Sequence, residues 1–245
     1  MPMIDCARDG WLSETTGLAC HKVSGEGDAG SVAAALTRAG DGFYFAKLPV
    51  TAVGMVKNYT SGGLFLVDTG VTLEMAAVST PEPGNAGVTV RPATVADHDA
   101  AQTVAESAFT TSRFHLDPLF PVALANRIKR EWIRSYCEGR RGDVLFVAFL
   151  GEKVVGFLAA LKVDAGAKSA AVIDLVAVDA SARGRGVGGA LVAAFRNHYS
   201  SRVALLRVGT QIANSASLKL YRRCGFGFAA AAYVLHAHRR NGACL

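Results

Sequence analysis

The stretch that most limits what this chain can fold into is Arg183-Gly184-Arg185-Gly186-Val187-Gly188-Gly189. It lies between an apolar run, Ile173-Asp174-Leu175-Val176-Ala177-Val178, and a segment of helical spacing, Val187–Tyr199. The run has the length and β-branched content of a buried strand, so the glycines sit where a strand turns into a helix. A helix start presents unpaired amide N–H groups and the positive end of the macrodipole, which suits a pyrophosphate. Gly184, Gly186, Gly188 and Gly189 let an anion approach the backbone, since no β-carbon blocks it, and Arg183 and Arg185 add charge.

Two nucleotide loops are set aside. A phosphate-cradling loop of the Walker type needs Gly-Lys-Ser/Thr, which does not occur at this position. A dinucleotide loop belongs in an early βαβ unit with an acid about 20 residues on. Here a hairpin precedes the loop, and Ser200-Ser201-Arg202 supplies no acid.

Charge says which part of the chain faces an anion. Residues 1–85 hold five Lys/Arg against nine Asp/Glu, whereas residues 86–245 hold 21 against 11. The sign changes at Ser79-Thr80-Pro81-Glu82-Pro83-Gly84-Asn85-Ala86-Gly87, which has two prolines and no apolar periodicity. The expected organisation is a small N-terminal α/β domain over 1–80, a linker at 81–87 and a larger domain over 88–245.

In the first part the patterns predict a helix at Ser31–Ala39 and strands at Phe43–Lys47, Leu64–Asp68 and Val71–Met75, the last two separated by a turn at Thr69-Gly70. In the second part they predict a strand at Val88–Arg91, helices at Val95–Ala108 and Pro121–Glu138, and a hairpin of Val144–Leu150 with Lys153–Lys162. The strand Ala170–Val178, the glycine loop, helix Val187–Tyr199, strand Val203–Val208, helix Asn214–Cys224 and a strand near Phe228–Leu235 complete the order. This gives a mixed sheet with helices on both faces.

Other classes are excluded by what is missing. No apolar run reaches the roughly 18 residues of a spanning helix. The opening Met1-Pro2-Met3-Ile4-Asp5 lacks a basic segment followed by an apolar run, so a cytoplasmic location is expected. Cys6, Cys20, Cys137, Cys224 and Cys244 form no CxxC pair, so neither a metal site nor a disulfide framework is expected. His98, His198, His236 and His238 have no partner pattern and read as surface residues.

A second motif follows the glycine loop. Asn214 opens a helical segment, Tyr221 comes seven residues later, and Gly225-Phe226 closes it. Seven residues at about 100° each return a side chain to the same face. Asn214 suits the N-cap, and Gly225 suits a left-handed termination.

Together the two motifs resemble those of the GNAT superfamily of N-acetyltransferases: Arg/Gln-x-x-Gly-x-Gly/Ala after a central strand, then Asn, Tyr and Gly-Phe around a late helix. The resemblance implies an α/β GNAT fold, here with a smaller N-terminal α/β domain, and acetyl-coenzyme A as co-substrate with no metal. It places Leu175, Val176 and Val178 along the pantetheine arm, with the Val176 and Val178 N–H groups on its amides or on the thioester carbonyl. Residues 183–189, Val187 included, would hold the pyrophosphate, and Asn214 and Tyr221 would complete the cofactor site. Tyr221 would be the general acid that protonates the departing thiolate. Asp174 reads either as a proton acceptor through water or as a structural acid, and strand alternation puts it on the opposite face from Leu175.

Ala105–His115, Glu131-Trp132-Ile133 and Leu206-Arg207-Val208-Gly209-Thr210-Gln211 further resemble the dTDP-fucosamine (dTDP-4-amino-4,6-dideoxy-galactose) N-acetyltransferase family. That resemblance is weaker before residue 80, where Trp11-Leu12-Ser13-Glu14-Thr15-Thr16-Gly17 has threonines in place of two aromatics. It implies a nucleotide-linked amino sugar as acceptor. Arg113 can pair with a diphosphate, Phe114 can stack on a base or plug the core, and His115 can hydrogen-bond the sugar or take its proton. The cofactor's phosphates account for the basic half, so no nucleic-acid partner is expected. Oligomeric state stays open, a homodimer included. Another small-molecule or peptide amine, or a coenzyme A-binding regulatory protein, are the alternatives.

Overall fold

The computed structural model describes residues 3–78, 87–165 and 168–245. The first segment runs β1 (Asp5–Arg8), α1 (Gly10–Thr16), β2 (Cys20–Ser24), α2 (Ala29–Ala39), β3 (Gly42–Pro49), α3 (Val53–Ser61) and β4 (Phe65–Ala76). The remainder runs β5 (Thr89–Pro92), a 3₁₀ turn at Val95–Asp97, α4 (His98–Ala108), α5 (Arg113–Leu116), α6 (Val122–Cys137), β6 (Val144–Leu150), β7 (Lys153–Ala165) and β8 (Lys168–Val178). After a second 3₁₀ turn at Ala180–Ala182 come α7 (Val187–Tyr199), β9 (Leu205–Gln211), α8 (Ser215–Arg223), β10 (Gly227–Arg240) and β11 (Ala243–Cys244).

Ten strands form one continuous sheet in the order β1-β2-β3-β10-β4-β9-β8-β7-β6-β5, and β11 pairs with β10. Among the described residues only β2 with β3 and β8 with β9 pair in parallel. The expected boundary between two domains needs correction here. Strand β4, from before residue 79, lies between β9 and β10, with Gly70 opposite Gln211 on one side and Ala232 on the other. The N-terminal segment therefore supplies a central strand instead of a separate sheet. Residues 81–86 of the expected linker lie outside the described residues.

The turn expected at Thr69-Gly70 is extended strand. Both residues sit mid-ladder, and pairing on two sides outweighs the local turn preference. The two expected strands are therefore one, β4. Strands β1 and β2 and helices α1, α3 and α5 had no clear periodic signal, and the first two helices hold seven and nine residues.

Helices α4 and α6 pack Ala101, Val104, Ala105, Ile133 and Tyr136 on Phe157, Ala159, Leu175 and Ala177. On the opposite face, α7 packs Leu191, Phe195 and Tyr199 against Leu158, Ala171 and Ile173, with Tyr221 of α8 in the same cluster. Fully burying a side chain such as Leu191 or Phe195 contributes about 1.5–3 kcal/mol. Among the described residues no helix is long and apolar enough to cross a membrane.

Candidate active site

Strands β8 and β9 pair from Ala170 opposite Leu205 only as far as Ile173 opposite Val208, although β8 continues to Val178 and β9 to Gln211. Beyond that point they part. The Asp179 N–H donates to the Val155 carbonyl of β7 at 2.8 Å. Backbone groups alternate along a strand, so the Val178 and Val176 N–H groups point the other way, into the gap. This is the orientation required of groups that would grip an extended amide chain.

The glycine loop meets the same gap. Gly184 and Gly186 adopt left-handed φ of 76° and 80°, and Gly186 is the N-cap of α7 with no side chain capping it. The first-turn amides of α7 are thus left for a ligand. Gly188 has a different role: a Cβ there would press on Leu220 at 3.1 Å, so it serves the packing of α7 on α8. Arg183 donates to the Ala108 carbonyl at 2.9 Å, which ties the loop to the end of α4. Arg185 is exposed, and Val187 is buried beneath the loop.

A cavity of about 370 Å³ opens where β8 and β9 part. Val176, Tyr221, Asn214, Arg113, Lys129 and Lys47 all line it. Asn214 caps α8, its side chain accepting from the Ser217 N–H at 3.1 Å, and this sets the helix that carries Tyr221. Tyr221 is 2% exposed. Burial pushes its hydroxyl well above the ordinary phenol pKa, against a hydrogen bond with Ser217, so it holds its proton at neutral pH.

Asp174 differs from its sequence expectation. A bulge places Ala159 opposite Leu175 and Ala160 opposite Ile173, so Asp174 is the extra residue. Its carboxylate turns toward α6, on the same side as Leu175. There it accepts from Trp132 Nε1 (2.8 Å), Tyr136 Oη (2.9 Å), and Arg141 Nε and Nη2 (2.6 and 2.9 Å). Four donors occupy both oxygens, which fits a structural anchor.

The expected acceptor residues separate. Arg113 lines the cavity, its guanidinium 4.2 Å above the Phe45 ring and 4.3 Å from that of Phe114. Burial lowers it to about 10, with the Asp9, Cys20 and Asp117 charges opposing, so it remains a cation. Phe114 is 2% exposed and packs with Phe43 and Phe120, so it plugs the core. His115 bonds Ser112 Oγ at 2.6 Å through Nδ1 and Asn126 Oδ1 at 2.8 Å through Nε2, and burial lowers its pKa. Both ring nitrogens are engaged, and the ring does not line the cavity. Thr15 and Thr16 are buried in α1, likewise away from it.

Two of the histidines expected on the surface are buried. Asp117 Oδ2 accepts from His236 Nδ1 at 2.6 Å and His238 Nε2 at 2.8 Å, and His236 Nε2 accepts from Arg113 Nη1 at 3.3 Å. This chain aims Arg113. Burial pulls His236 down to about 4 despite its bond to Asp117. Burial raises Asp117, but its hydrogen bonds from both histidines and the Leu119 amide outweigh that and hold it well below the ordinary carboxylate value.

Lys129 was missed, though a signal existed. Ala125, Ile128, Lys129, Trp132, Ile133 and Tyr136 follow helical spacing along the inward stripe of α6, with one lysine among apolar residues. Lys47 of β3 and Gly70, Val71 and Thr72 of β4 also line the cavity, through pairings the sequence did not indicate. Among the described residues, no cluster of His, Cys, Asp and Glu could hold a metal ion.

The acetyltransferase (GNAT) family matches residues 109–226. The spore coat polysaccharide biosynthesis protein SpsD of Bacillus subtilis is 30% identical over 157 residues, which are 64% of this chain and 48% of SpsD. The chain thus spans about half the length of that curated relative. A GCN5-related N-acetyltransferase from Sphaerobacter thermophilus has a TM-score of 0.65 at 16% identity, over 99% of this chain and 78% of its own. Another from Kribbella flavida gives 0.59 at 18% identity, over 89% and 80%. At such identities the structures speak for the fold alone. The parted strands, the uncapped helix behind the glycine loop and the family match over both motifs agree, and residues 109–226 are an acetyltransferase domain of the GNAT family, whose co-substrate is acetyl-coenzyme A.

Proposed function

We propose that the chain transfers an acetyl group from acetyl-coenzyme A to the amine of a nucleotide-activated 4-amino-4,6-dideoxy sugar, in cytoplasmic steps of polysaccharide assembly. The observation that carries the acceptor class is the charge of the cavity. The cations Lys47 and Arg113 line it, and the one acid among its described lining residues, Asp174, is committed to Arg141. Such a wall favours a diphosphate-bearing acceptor over a polycationic amine or basic peptide. The name of SpsD, a polysaccharide biosynthesis protein, points the same way.

The reaction runs by direct attack within a ternary complex. The Val176 and Val178 amides align the pantetheine arm, and the first turn of α7 and the loop at 183–189 receive the pyrophosphate. Tyr221, protonated at neutral pH, donates its proton to the departing sulfur. Arg113, aimed by Asp117 through His236, holds the diphosphate of the acceptor. The test is thiol release from acetyl-coenzyme A with 4-amino-sugar nucleotides, with aminoglycosides and peptides as controls. Turnover confined to the controls would overturn the acceptor class.

A further inference from the structure

Amide formation releases a proton from the attacking nitrogen, and some group in the cavity must accept it. Five titratable side chains line the cavity: Lys47, Arg113, Lys129, Asp174 and Tyr221. Asp174 already accepts from four donors. Arg113 stays charged and Tyr221 serves as the acid; burial and the Arg113 and Lys22 charges lower the Lys47 pKa as well, but that side chain is exposed and keeps solvent around it. That leaves Lys129.

Its surroundings suit an uncharged amine. Lys129 is 7% exposed, and its Nζ lies 5.0 Å from the centre of the Phe109 ring and 5.1 Å from that of Trp132. Among the described residues its amine makes no hydrogen bond or ion pair. The charged groups around it are Arg113 of α5 and Lys47 of β3, both cations, and Asp174 of β8, neutralised by Arg141. His115, also of α5, is the remaining titratable neighbour, and both its ring nitrogens are bonded. A buried ammonium with two cations nearby and no free carboxylate loses solvation that the faces of the Phe109 and Trp132 rings restore only in part.

We propose that Lys129 is the general base of the acetyl transfer, a catalytic residue whose neutral Nζ takes the proton from the acceptor nitrogen. As the C–N bond forms and the thioester C–S bond breaks, one proton passes from that nitrogen to Lys129 and one from Tyr221 to the sulfur. Lys129 then releases its proton to solvent and the Tyr221 phenolate regains one, so each turnover yields one amide and one thiol. The charge balance agrees with this role. Burial and the Arg113 charge, opposed by Asp174 and reinforced by Lys47, pull the Lys129 pKa down to about 7.

The base role rests on the acyl-transfer reading but not on the identity of the amine. Two measurements test it. In the full chain labelled with ¹³C-lysine, one Cε resonance, absent in Lys129→Arg, is expected to titrate near neutrality. Titration in the ordinary lysine range near 10.4 would overturn the proposal. With any amine found to be accepted, Lys129→Arg fixes a permanent cation that cannot deprotonate, so kcat/KM at pH 7 is expected to fall about 10²–10⁴-fold. The low-pH limb of the profile should move toward the pKa of the acceptor itself. Trimethylamine, which cannot form an amide, should partly restore Lys129→Ala. Activity of Lys129→Arg within about threefold of wild type, with the limb unmoved, overturns the base role whatever the acceptor proves to be. Turnover with non-sugar amines alone overturns only the acceptor reading.

Discussion

Asp174 and Leu175, neighbours in the chain, project from the same face of the sheet, because the bulge opposite Ala159 and Ala160 inserts Asp174 as an extra residue. The bulge aims the carboxylate at Trp132, Tyr136 and Arg141. It also sets which amides of β8 face the gap beside β9.

The first prediction concerns this anchor. Asp174→Ala leaves four donor groups, from Trp132, Tyr136 and Arg141, without their acceptor, and the fold is expected to lose about 2–4 kcal/mol. The shape of the pH–rate profile should survive in whatever protein remains folded. Chemical denaturation and rates from pH 5 to 9 check both parts. A lost low-pH limb with unchanged stability would restore Asp174 as the base.

Tyr221→Phe removes one hydroxyl from a buried site and keeps the ring packed near Phe226. The expected result is a drop in kcat of about 10²–10³-fold with little change in KM for acetyl-coenzyme A, since the proton is needed only as sulfur departs. Steady-state thiol release with a slow acceptor, so that chemistry limits the rate, reads this directly.

Gly186 caps α7 at φ 80°, a conformation strained for a β-branched residue. Gly186→Val should raise KM for acetyl-coenzyme A about tenfold or more while kcat at saturation changes less. Titration calorimetry with coenzyme A gives the same quantity without an acceptor.

Arg113→Met should act on the other substrate. KM for a sugar nucleotide is expected to rise about tenfold or more, with KM for acetyl-coenzyme A unchanged. A matched amino sugar without the diphosphate should show no such difference between the two proteins.

The buried Asp117–His236 pair makes stability depend on pH. The fold favours neutral His236, whose pKa is about 4 there against 6.5 ordinarily. As pH falls below 6.5 the unfolded chain takes up a proton that the folded one refuses, so stability drops between pH 6.5 and 4. Asp117, held below its ordinary 3.8, continues the loss at lower pH. The His236 part is on the order of 2–3 kcal/mol. Thermal melts across pH 4–8 should show it, and His236→Gln should flatten the upper portion.

Much of the C-terminal architecture was legible because its signals are local. The α7 bounds, the Asn214 cap and the hairpin of β6 and β7 follow from periodicity and turn chemistry within a few residues. The partners of β4 were not, since nothing near Gly70 says that Gln211 and Ala232 will flank it. Asp174 was placed on the wrong face because a bulge is decided by packing across β7 and α6, beyond the reach of strand alternation. His236 and His238 sit on a strand whose outer neighbour, β3, comes from far earlier in the chain, so their burial was hidden. Lys129 was visible as a lone charge in an apolar stripe, but its meaning depends on the cavity.

The place of β10 between β3 and β4 bears on how the protein is made. Neither strand gains its shared neighbour until the ribosome has synthesised residues 227–240. Until then the nascent chain presents two open strand edges to solvent or to a chaperone. Ala232 and Val234 of β10 line the cavity, so its wall is incomplete until that strand has been made and has docked.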